Sequence, residues 1–379
     1  MTDQLADLLA AHARARLAQY FPDLPGDRLT LGPVEGPRRH RHSFIYRLPV
    51  LCEGQPATRV MLAKVIRQAG EERPGQLPAG AEIIGKAREE YAGLARLHSF
   101  FAERADPFCG SVRPLAYLPE ANAILTEEVP ARTLRDVLLP GLGTRRRIDP
   151  ARARETLRRC GRWLRLFHEL PVESRWRRFD DRAFLDEAGA FLRELTTLGV
   201  APAYCDRLHD DLSRFIADHH LRGREIRYAW RHGDYNLRNI LVTSIGQIVG
   251  FDTKLRRACP VWEDVAIFLI ELRAQKRFVL SRGRAFGARR LAEWEQAFLA
   301  GYSEADPAQP EPAFVVLYSA LYALRKWALD LRMINGRLRA GQWLSRLTVD
   351  GYFRAMISRA LGRSPSVERD TQPVAGYGH

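Results

Sequence analysis

The residue pattern of this 379-residue chain changes character near Pro130. Before it, residues 29–67 and 112–129 contain short runs of β-branched and aromatic residues separated by Gly and Pro, which predicts strands on either side of a helix over residues 81–101. After it, apolar residues recur mostly at helical spacing, and a further hairpin is predicted only between Arg227 and Phe251. This order predicts an α+β fold with a β-rich first part and a mainly helical second part.

The same patterns divide the chain into four segments. Residues 1–27 contain an amphipathic helix over residues 4–20, which we expect to pack on the β-rich part. Residues 28–130 are predicted to form a β-rich lobe and residues 131–362 a helical lobe, a length that allows two lobes with a cleft between them. Residues 363–379 are polar and rich in Pro and Gly, and we expect a flexible tail.

The cysteines and the apolar segments indicate the compartment. Five cysteines lie far apart without a CxxC pair, which argues against a disulfide framework and against a zinc site. No apolar run reaches the roughly 18–20 residues that a membrane span needs, and the N-terminus lacks the pattern of a secretion signal. These features predict a reduced, cytoplasmic protein without a transmembrane helix.

Arginine dominates the charge of the chain. Lysine and arginine together number 59 against 45 acidic residues, for a net charge of +14, and only five of the 59 are lysines. Such a charge is typical either of a protein with an anionic partner, such as nucleic acid, an acidic membrane surface or a phosphorylated substrate, or of arginines spread over solvated helix faces. The sequence has no zinc finger, RNA-recognition signature or long basic helix, so a nucleic-acid partner is not predicted, whereas peripheral membrane contact stays open.

The segment most informative about chemistry is Arg231–Val242, with the sequence RHGDYNLRNILV. Asp234 and Asn239 lie in the loop that enters one predicted strand, and Asp252 follows the next strand, so a hairpin would bring the three side chains to one end. Carboxylate and amide oxygens suit Mg²⁺, and a remaining carboxylate could orient or deprotonate a hydroxyl. The order of the three residues is that of kinase signatures, which predicts phosphoryl transfer. A polar hairpin with Asn and Asp in its turns is the plain alternative.

Together with the later runs IVGFDTK and PVWEDVAIFL, this segment resembles the aminoglycoside phosphotransferase and choline kinase-like family. Its members are small-molecule kinases with a protein-kinase-like, two-lobed fold. The resemblance implies that Asp234 is the catalytic base, that Asn239 and Asp252 hold magnesium, and that His232 and Asp264 support the catalytic loop. The Phe or Trp that usually follows the second metal-binding Asp in the family is absent here.

The resemblance also implies that ATP is the phosphate donor. Lys64 would bind the ATP phosphates, and Glu90 or, as the alternative, Glu89 would hold that lysine from the following helix. Lys64 is the only lysine within residues 29–67 and follows alternating apolar residues, where an ammonium group needs a partner. An exposed strand lysine and a solvated helix glutamate are the alternatives for these positions.

Further ATP contacts follow from the resemblance alone. The basic loop over residues 32–43 would cover the phosphates, although it has neither a GxGxxG nor a Walker pattern, so Ser43 and nearby backbone N–H groups are its candidates. The same loop could equally be solvated. Residues 125–129 match the position of the family's hinge, and this places Glu127 and Val129 against adenine through their backbone groups.

These features predict an ATP- and Mg²⁺-dependent phosphotransferase that moves the γ-phosphate to a hydroxyl of a small molecule or glycan. The basic charge favours a sugar or sugar-containing acceptor over an aminoglycoside or an amino alcohol such as choline, which is the alternative. A pseudokinase that binds nucleotide or a partner protein without chemistry is the second alternative, and the intact Lys64, Asp234, Asn239 and Asp252 argue against it. The sequence does not identify the acceptor, the preference between ATP and GTP, or the oligomeric state.

Overall fold

The computed structural model describes residues 4–40, 42–54, 59–68, 70–74, 80–139, 148–173, 175–253, 255, 257–275, 278–279, 281, 287–304, 311–336 and 342–362, without the side chains of 342–344. The predicted tail at residues 363–379 lies outside the described residues. In the described part, no helix is both long enough and apolar enough to cross a membrane.

The chain divides into two compact units that alternate along the sequence. The first comprises Met1–Arg175, Arg227–Asp264 and Ala292–Gln309, and the second comprises Trp176–Ile226, Val265–Leu291 and Pro310–His379. The first unit contains the β-sheets of the N-terminal region, and the second is mainly helical. The α+β class predicted from the residue pattern is therefore confirmed.

An antiparallel sheet forms the N-terminal part of the first unit. Its strands are β1 (Leu29–Leu31), β2 (Glu35–Arg39), β3 (Ser43–Cys52), β4 (Arg59–Ile66), β6 (Pro114–Leu118) and β7 (Ala123–Glu127). They lie in the order β1-β3-β4-β7-β6, and β2 pairs with β3. The turn predicted between the last two strands is a short 3₁₀ helix at Pro119–Ala121.

Two N-terminal helices, α1 (Gln4–Arg14) and α2 (Leu17–Tyr20), cover one face of this sheet. Their buried apolar residues share one cluster with Tyr46, Met61 and Leu125 of the strands. Burying a Leu or Phe side chain contributes roughly 1.5–3 kcal/mol, so these helices stabilise the sheet. The single helix predicted over residues 4–20 is wrong in its continuity, because the backbone of Arg16, with φ of −133° and ψ of 12°, leaves the helical region.

Part of the loop predicted over residues 32–43 is a strand. Glu35–Arg39 pairs with β3 as β2, and all five of its residues are exposed. A strand with Gly and Pro is tolerated at this position because β2 lies at an edge, where a missing N–H removes no hydrogen bond of a central ladder. In the described part of this segment, residues 32–34, His40 and His42 lie outside the strands.

The hairpin predicted near residue 240 is present in a second sheet of the first unit. Strands β11 (Ile240–Thr243) and β12 (Ile248–Gly250) are antiparallel, with Ile240 opposite Gly250. Strand β8 (Ala131–Thr133) extends the sheet beside β11, and β5 (Cys109–Ser111) pairs with β12 in parallel. The two strand ends at Ile240 and Gly250 therefore lie side by side, and the loops attached to them meet there.

The remaining elements are mostly helices. They are α3 (Ala81–Arg104), α4 (Leu134–Leu138), α5 (Pro150–Phe167), α6 (Asp181–Thr197), α7 (Pro202–Asp218), α8 (Trp262–Arg273), α9 (Ala288–Ser303), α10 (Pro312–Asn335) and α11 (Gln342–Ala360), with short strands β9 (Trp176–Arg178), β10 (Glu225–Trp230) and β13 (Ala258–Pro260). Side-chain caps begin three of them, since Thr133, Asp149 and Asp180 each accept a backbone N–H of the first turn. In the second unit, the indole N–H of Trp327 on α10 donates to Asp350 on α11 over 2.7 Å.

Within the first unit, α5 packs closely against α9 through glycine. A Cβ at Gly301 would overlap the backbone carbonyl of Arg158, which cannot move without distorting α5. We expect Gly301→Ala to lower the free energy of unfolding by about 1–3 kcal/mol, the usual cost of overpacking. Gly351→Ala is the control, because no atom lies within 4 Å of that Cβ position and alanine in a helix is favoured over glycine by roughly 1 kcal/mol. Urea denaturation of both variants measures the difference, and equal stabilities would contradict the close packing.

Candidate active site

The ammonium group of Lys64 lies between two carboxylates. Along β4, Met61, Ala63 and Val65 belong to the buried cluster under the N-terminal helices, so the alternation of a strand turns Lys64 to the opposite face. There its Nζ lies 2.6 Å from Oε1 of Glu90 on α3 and 3.1 Å from Oδ1 of Asp252. Glu90, and not the alternative Glu89, is the glutamate that forms an ion pair with this lysine.

Burial and charge act on Lys64 in opposite directions. Burial by itself lowers the pKa of the Lys64 ammonium, but the negative charges of Glu90 and Asp252 outweigh that effect and raise the pKa above its ordinary value. The side chain of Lys64 is 28% exposed, so one side of the charged group remains accessible to a ligand. A permanently charged, partly exposed ammonium of this kind can bind phosphate oxygens.

Asp234 and Asn239 meet in the loop that enters β11. The side-chain amide of Asn239 donates from Nδ2 to Oδ2 of Asp234 over 2.8 Å and to the backbone oxygen of Asp234 over 3.0 Å. Helix α4 fixes the same loop from outside, because the backbone N–H of Arg135 donates to the carbonyl of Leu237 over 2.8 Å. Asp234 itself is exposed, and an exposed carboxylate on a fixed loop can accept a proton from a ligand.

Asp252 follows β12 at the same end of the hairpin. The backbone N–H of Phe251 donates to the carbonyl of Asn239 over 3.2 Å, which brings the residues flanking both strands together, as the spacing predicts. Asp252 has a left-handed backbone, with φ of 58°, a conformation that Asp and Asn tolerate better than most residues. This turn directs the chain away from the hairpin directly after the carboxylate.

The side-chain oxygen atoms at this end of the hairpin are suitable ligands for a magnesium ion. Because the amide nitrogen of Asn239 is used by Asp234, its Oδ1 is the atom left over, and no hydrogen bond to it occurs within the described residues. That oxygen and the Asp252 carboxylate are hard ligands of the kind Mg²⁺ prefers. No group of three His, Cys, Asp or Glu side chains that could hold a metal occurs in the described part of the chain. A site with only a few protein ligands suits Mg²⁺, because this ion usually keeps several waters and binds substrate phosphates.

A buried carboxylate holds the start of the loop that carries Asp234. Asp264, fully buried at the beginning of α8, accepts the backbone N–H of His232 at Oδ2 and that of Gly233 at Oδ1, each over 2.8 Å. The imidazole Nε2 of His168 lies 3.3 Å from the same Oδ2. Burial opposes ionisation, but these partners, His168 foremost, hold the pKa of Asp264 below its ordinary value. The loop before Asp234 is thereby attached to α8.

The network continues to α9 through His168, which the sequence pattern did not single out, and Tyr302. Nδ1 of His168, at the C-terminal end of α5, lies 2.8 Å from the hydroxyl of Tyr302 on α9. Both residues are buried. A histidine ending an apolar helical run and a tyrosine on a distant helix carry no local signal, since their partnership depends on how α5, α8 and α9 pack.

His232 is enclosed by aromatic rings. Its ring lies 5.2 Å from Tyr235, 5.5 Å from Phe167 and 5.9 Å from Trp163, measured between centroids. Neither ring nitrogen has a hydrogen-bond partner among the described residues. Burial lowers the pKa of His232 to about 4, although Asp264 and Asp252 act in the opposite direction. The side chain is therefore neutral at pH 7 and serves as an apolar support of the loop.

This histidine should make stability depend on pH. Between its unfolded pKa of roughly 6.5 and the folded value of about 4, the unfolded state binds a proton that the folded state does not. His232 therefore does not lower the free energy of unfolding well above pH 6.5. As the pH decreases, this group lowers the free energy of unfolding by about 2 kcal/mol between about pH 7.5 and about pH 5. His232→Phe, which keeps a ring and cannot be protonated, should lose about 2 kcal/mol less than the wild type over this range. Chemical denaturation at both pH values measures this, and identical losses would contradict the assignment.

Ser43 lies at the beginning of β3, on the same face of the sheet as Lys64. Ile45 is the direct cross-strand neighbour of Lys64, and Ser43 is two residues from Ile45, so it lies roughly 7 Å along the strand. Ser43 is buried, and its carbonyl accepts the backbone N–H of His40 over 2.8 Å. The structure thus places the predicted phosphate residue next to His40 and on the face of the lysine.

The predicted adenine contacts lie at and beyond the end of β7. The N–H groups of Glu127 and Glu128 donate to the carbonyls of Arg113 and Val60, and their side chains form ion pairs with arginines, Glu127 with Arg59 and Arg113 and Glu128 with Arg47. The Glu127 N–H is therefore already used. Val129 makes no backbone hydrogen bond within the described residues. Its backbone N–H and carbonyl are therefore available for hydrogen bonds with adenine.

Comparison with known proteins identifies a family and a fold. The model of the family described as Phosphotransferase enzyme family (APH) matches residues 84–313. Among solved structures, a glucosamine kinase (crystal form B) is 16% identical with a TM-score of 0.53, over 90% of this chain and 84% of that chain. Macrolide 2'-phosphotransferase type I is 17% identical with a TM-score of 0.52, over 93% of this chain and 98% of that chain. None of the curated proteins matches the sequence.

Since the family model covers more than half of its residues, the chain belongs to this phosphotransferase family. The two solved structures share its fold, which is protein-kinase-like. The family, the fold and the enzyme class predicted from residues 231–270 are therefore confirmed. The roles of individual residues rest on the geometry given above and remain predictions.

Proposed function

We propose that the protein is an ATP- and Mg²⁺-dependent phosphotransferase that moves the γ-phosphate of ATP to a hydroxyl of a sugar or sugar-containing acceptor. The observation that carries this proposal is the position of the Lys64 ammonium, 2.6 Å from Glu90 and 3.1 Å from Asp252. A strand lysine paired with a helix glutamate is the arrangement by which kinases bind nucleotide phosphates. Membership of the phosphotransferase family supports the same chemistry.

Each residue has a defined part in the transfer. Asp234 accepts the proton of the acceptor hydroxyl while its oxygen forms the new bond to phosphorus and the bond between phosphorus and the bridging oxygen of ADP breaks. Lys64 binds the phosphates, with Glu90 holding it in place. Asn239 and Asp252 would hold the magnesium ion, which, when bound, neutralises charge on the phosphate oxygens.

The choice of acceptor rests on charge. The chain carries a net charge of +14, and long-range attraction favours neutral or anionic ligands over cationic ones. The net positive charge would repel an aminoglycoside or an amino alcohol, because both are cationic. A hydroxyl compound without a positive charge, such as a sugar, a sugar phosphate or a sugar-bearing glycan, fits it better.

Release of ADP from Mg-ATP tests the proposal across a panel of acceptors. The panel contains neutral sugars, sugar phosphates, amino sugars, aminoglycosides, choline and ethanolamine, each assayed with wild-type protein. We expect acceptor-dependent release with a neutral or anionic sugar. Release confined to cationic acceptors would overturn the acceptor class, and binding of Mg-ATP without release for any acceptor would indicate a pseudokinase.

The metal assignment has its own test in Asp252→Asn. Asparagine keeps the shape of the side chain and tolerates the left-handed backbone, so the fold should persist, whereas the charge that holds the metal is lost. We expect the affinity for ATP in the presence of Mg²⁺ to fall at least about tenfold, measured by calorimetry with and without the metal. The exposed Asp210 on α7 supplies the matched control, Asp210→Asn. Unchanged binding by Asp252→Asn would remove Asp252 from the metal site.

A further inference from the structure

Asn236 lies two residues after Asp234, and its side chain contacts the carboxylate. Its Nδ2 donates to Oδ1 of Asp234 over 2.5 Å, while Nδ2 of Asn239 donates to Oδ2 of the same carboxylate over 2.8 Å. Each oxygen of Asp234 thus accepts one amide N–H. Two amides on the two oxygens hold the plane of the carboxylate, whose terminal torsion is otherwise soft.

The amide of Asn236 is itself held in one orientation. Its Oδ1 accepts the backbone N–H of Arg238 over 2.9 Å, which leaves Nδ2 as the group that faces Asp234. Its backbone joins the same loop, since its N–H donates to the carbonyl of Asp234 and its carbonyl accepts the N–H of Asn239. Only a side chain with an acceptor on one side and a donor on the other satisfies both partners at this position.

Asn236 and Asn239 differ in what else they do. The Oδ1 of Asn239 is available for a metal ion, as argued above, so this residue would serve both the metal and the base. The Oδ1 of Asn236 is used by the backbone of Arg238. The contact of Asn236 with Asp234 is therefore separable from metal binding.

We infer that Asn236 is a positioning residue that orients the Asp234 carboxylate for proton transfer from the acceptor hydroxyl. The inference rests on the proposed function, because it assigns a partner to the proposed base. A carboxylate offers roughly four lone-pair sites, and the plane of the carboxylate decides which of them faces the hydroxyl proton. Orientation matters because small displacements of reacting groups lower rates strongly.

Steady-state kinetics of Asn236→Ala test this inference. We expect kcat to fall on the order of 10- to 100-fold, with the KM for Mg-ATP and the melting temperature close to those of the wild type. Asn236→Asp should be at least as slow, because a second carboxylate then faces Asp234. Asn239→Ala provides the contrast and should weaken Mg-ATP binding as well. Asn335→Ala, the same change at an exposed position of α10, should leave kcat unchanged.

A double-mutant cycle separates positioning from a structural role. If Asn236 acts through the base, adding Asn236→Ala to Asp234→Asn should change the residual rate less than about twofold. Equal losses in both backgrounds, a wild-type kcat for Asn236→Ala, or a loss seen only in melting temperature would overturn the inference. A wild-type protein that turns over no acceptor would overturn the proposed function instead, and the role of Asn236 with it.

Discussion

Asp234→Asn is expected to lower kcat by about 10²–10⁴-fold, the usual contribution of a positioned general base. The asparagine keeps the size of the side chain and can still accept one of the two amide N–H groups that reach Asp234, but it cannot take up the hydroxyl proton. Because Asp234 is exposed and the proposed metal ligands are Asn239 and Asp252, the fold and the binding of Mg-ATP should persist. Acceptor-dependent ADP release measures kcat, and calorimetry measures ATP binding.

The control for this substitution is the Asp210→Asn variant. It makes the same chemical change at an exposed position of α7 and should retain full activity. If Asp234→Asn transferred phosphate at the wild-type rate, the hydroxyl proton would have to leave by another path and Asp234 would not be the base. If the variant instead lost its melting transition, its inactivity would count as a folding defect.

Asp264→Ala is expected to destabilise the protein and to abolish phosphate transfer together. The substitution leaves the N–H groups of His232 and Gly233 buried without their acceptor, at about 1–3 kcal/mol each, so the free energy of unfolding should fall by roughly 2–6 kcal/mol. The loop that carries Asp234 would lose its attachment to α8. Denaturation measures the stability, and the same ADP-release assay measures the activity of the folded fraction.

A half-buried aspartate offers a comparison. Asp350 on α11 accepts one hydrogen bond in the described residues, from the indole of Trp327 over 2.7 Å, and burial raises its pKa, so its charged form is less favourable than that of Asp264. Asp350→Ala should therefore cost less, about 1–3 kcal/mol for one unpaired donor. Asp264→Asn, which retains an acceptor oxygen, should be intermediate. Equal costs for the two alanine variants would contradict a special role of the Asp264 network.

The residues whose positions could be predicted from the sequence are those whose contact partners are close along the chain. Asp234 and Asn239 are five residues apart in one loop, and a hairpin of two short strands carries the chain to Asp252, so local hydrogen bonding alone brings them to one end. Local hydrogen bonds also cap helices at Thr133, Asp149 and Asp180, which were not among the predicted positions. In each case the spacing and the turn chemistry leave few alternatives.

Other contacts could not be predicted from the sequence because they depend on how elements that are distant along the chain pack. The sequence left Glu89 and Glu90 open, since neighbouring helix residues differ by about 100° in direction and only the rotation of α3 against the sheet selects one. The Gly and Pro of residues 35–39 indicated a loop, whereas pairing with β3 makes this segment the edge strand β2. His168 and Tyr302 form a chain of contacts to Asp264 only because α5 and α9 pack together within the first unit.

The sequence by itself determined the α+β class, the phosphotransferase family and the loop that carries Asp234 and Asn239, because periodicity and short-range spacing dictate which residues share a strand, a helix face or a turn. The tertiary structure decided which glutamate holds Lys64, which buried groups support the catalytic loop, and that Asn236 contacts Asp234 through its side chain. The first two relations join elements separated by tens to hundreds of residues, which no local pattern encodes. The contact of Asn236 with Asp234 spans two residues, but it depends on the direction of the side chains, which residue spacing alone does not specify.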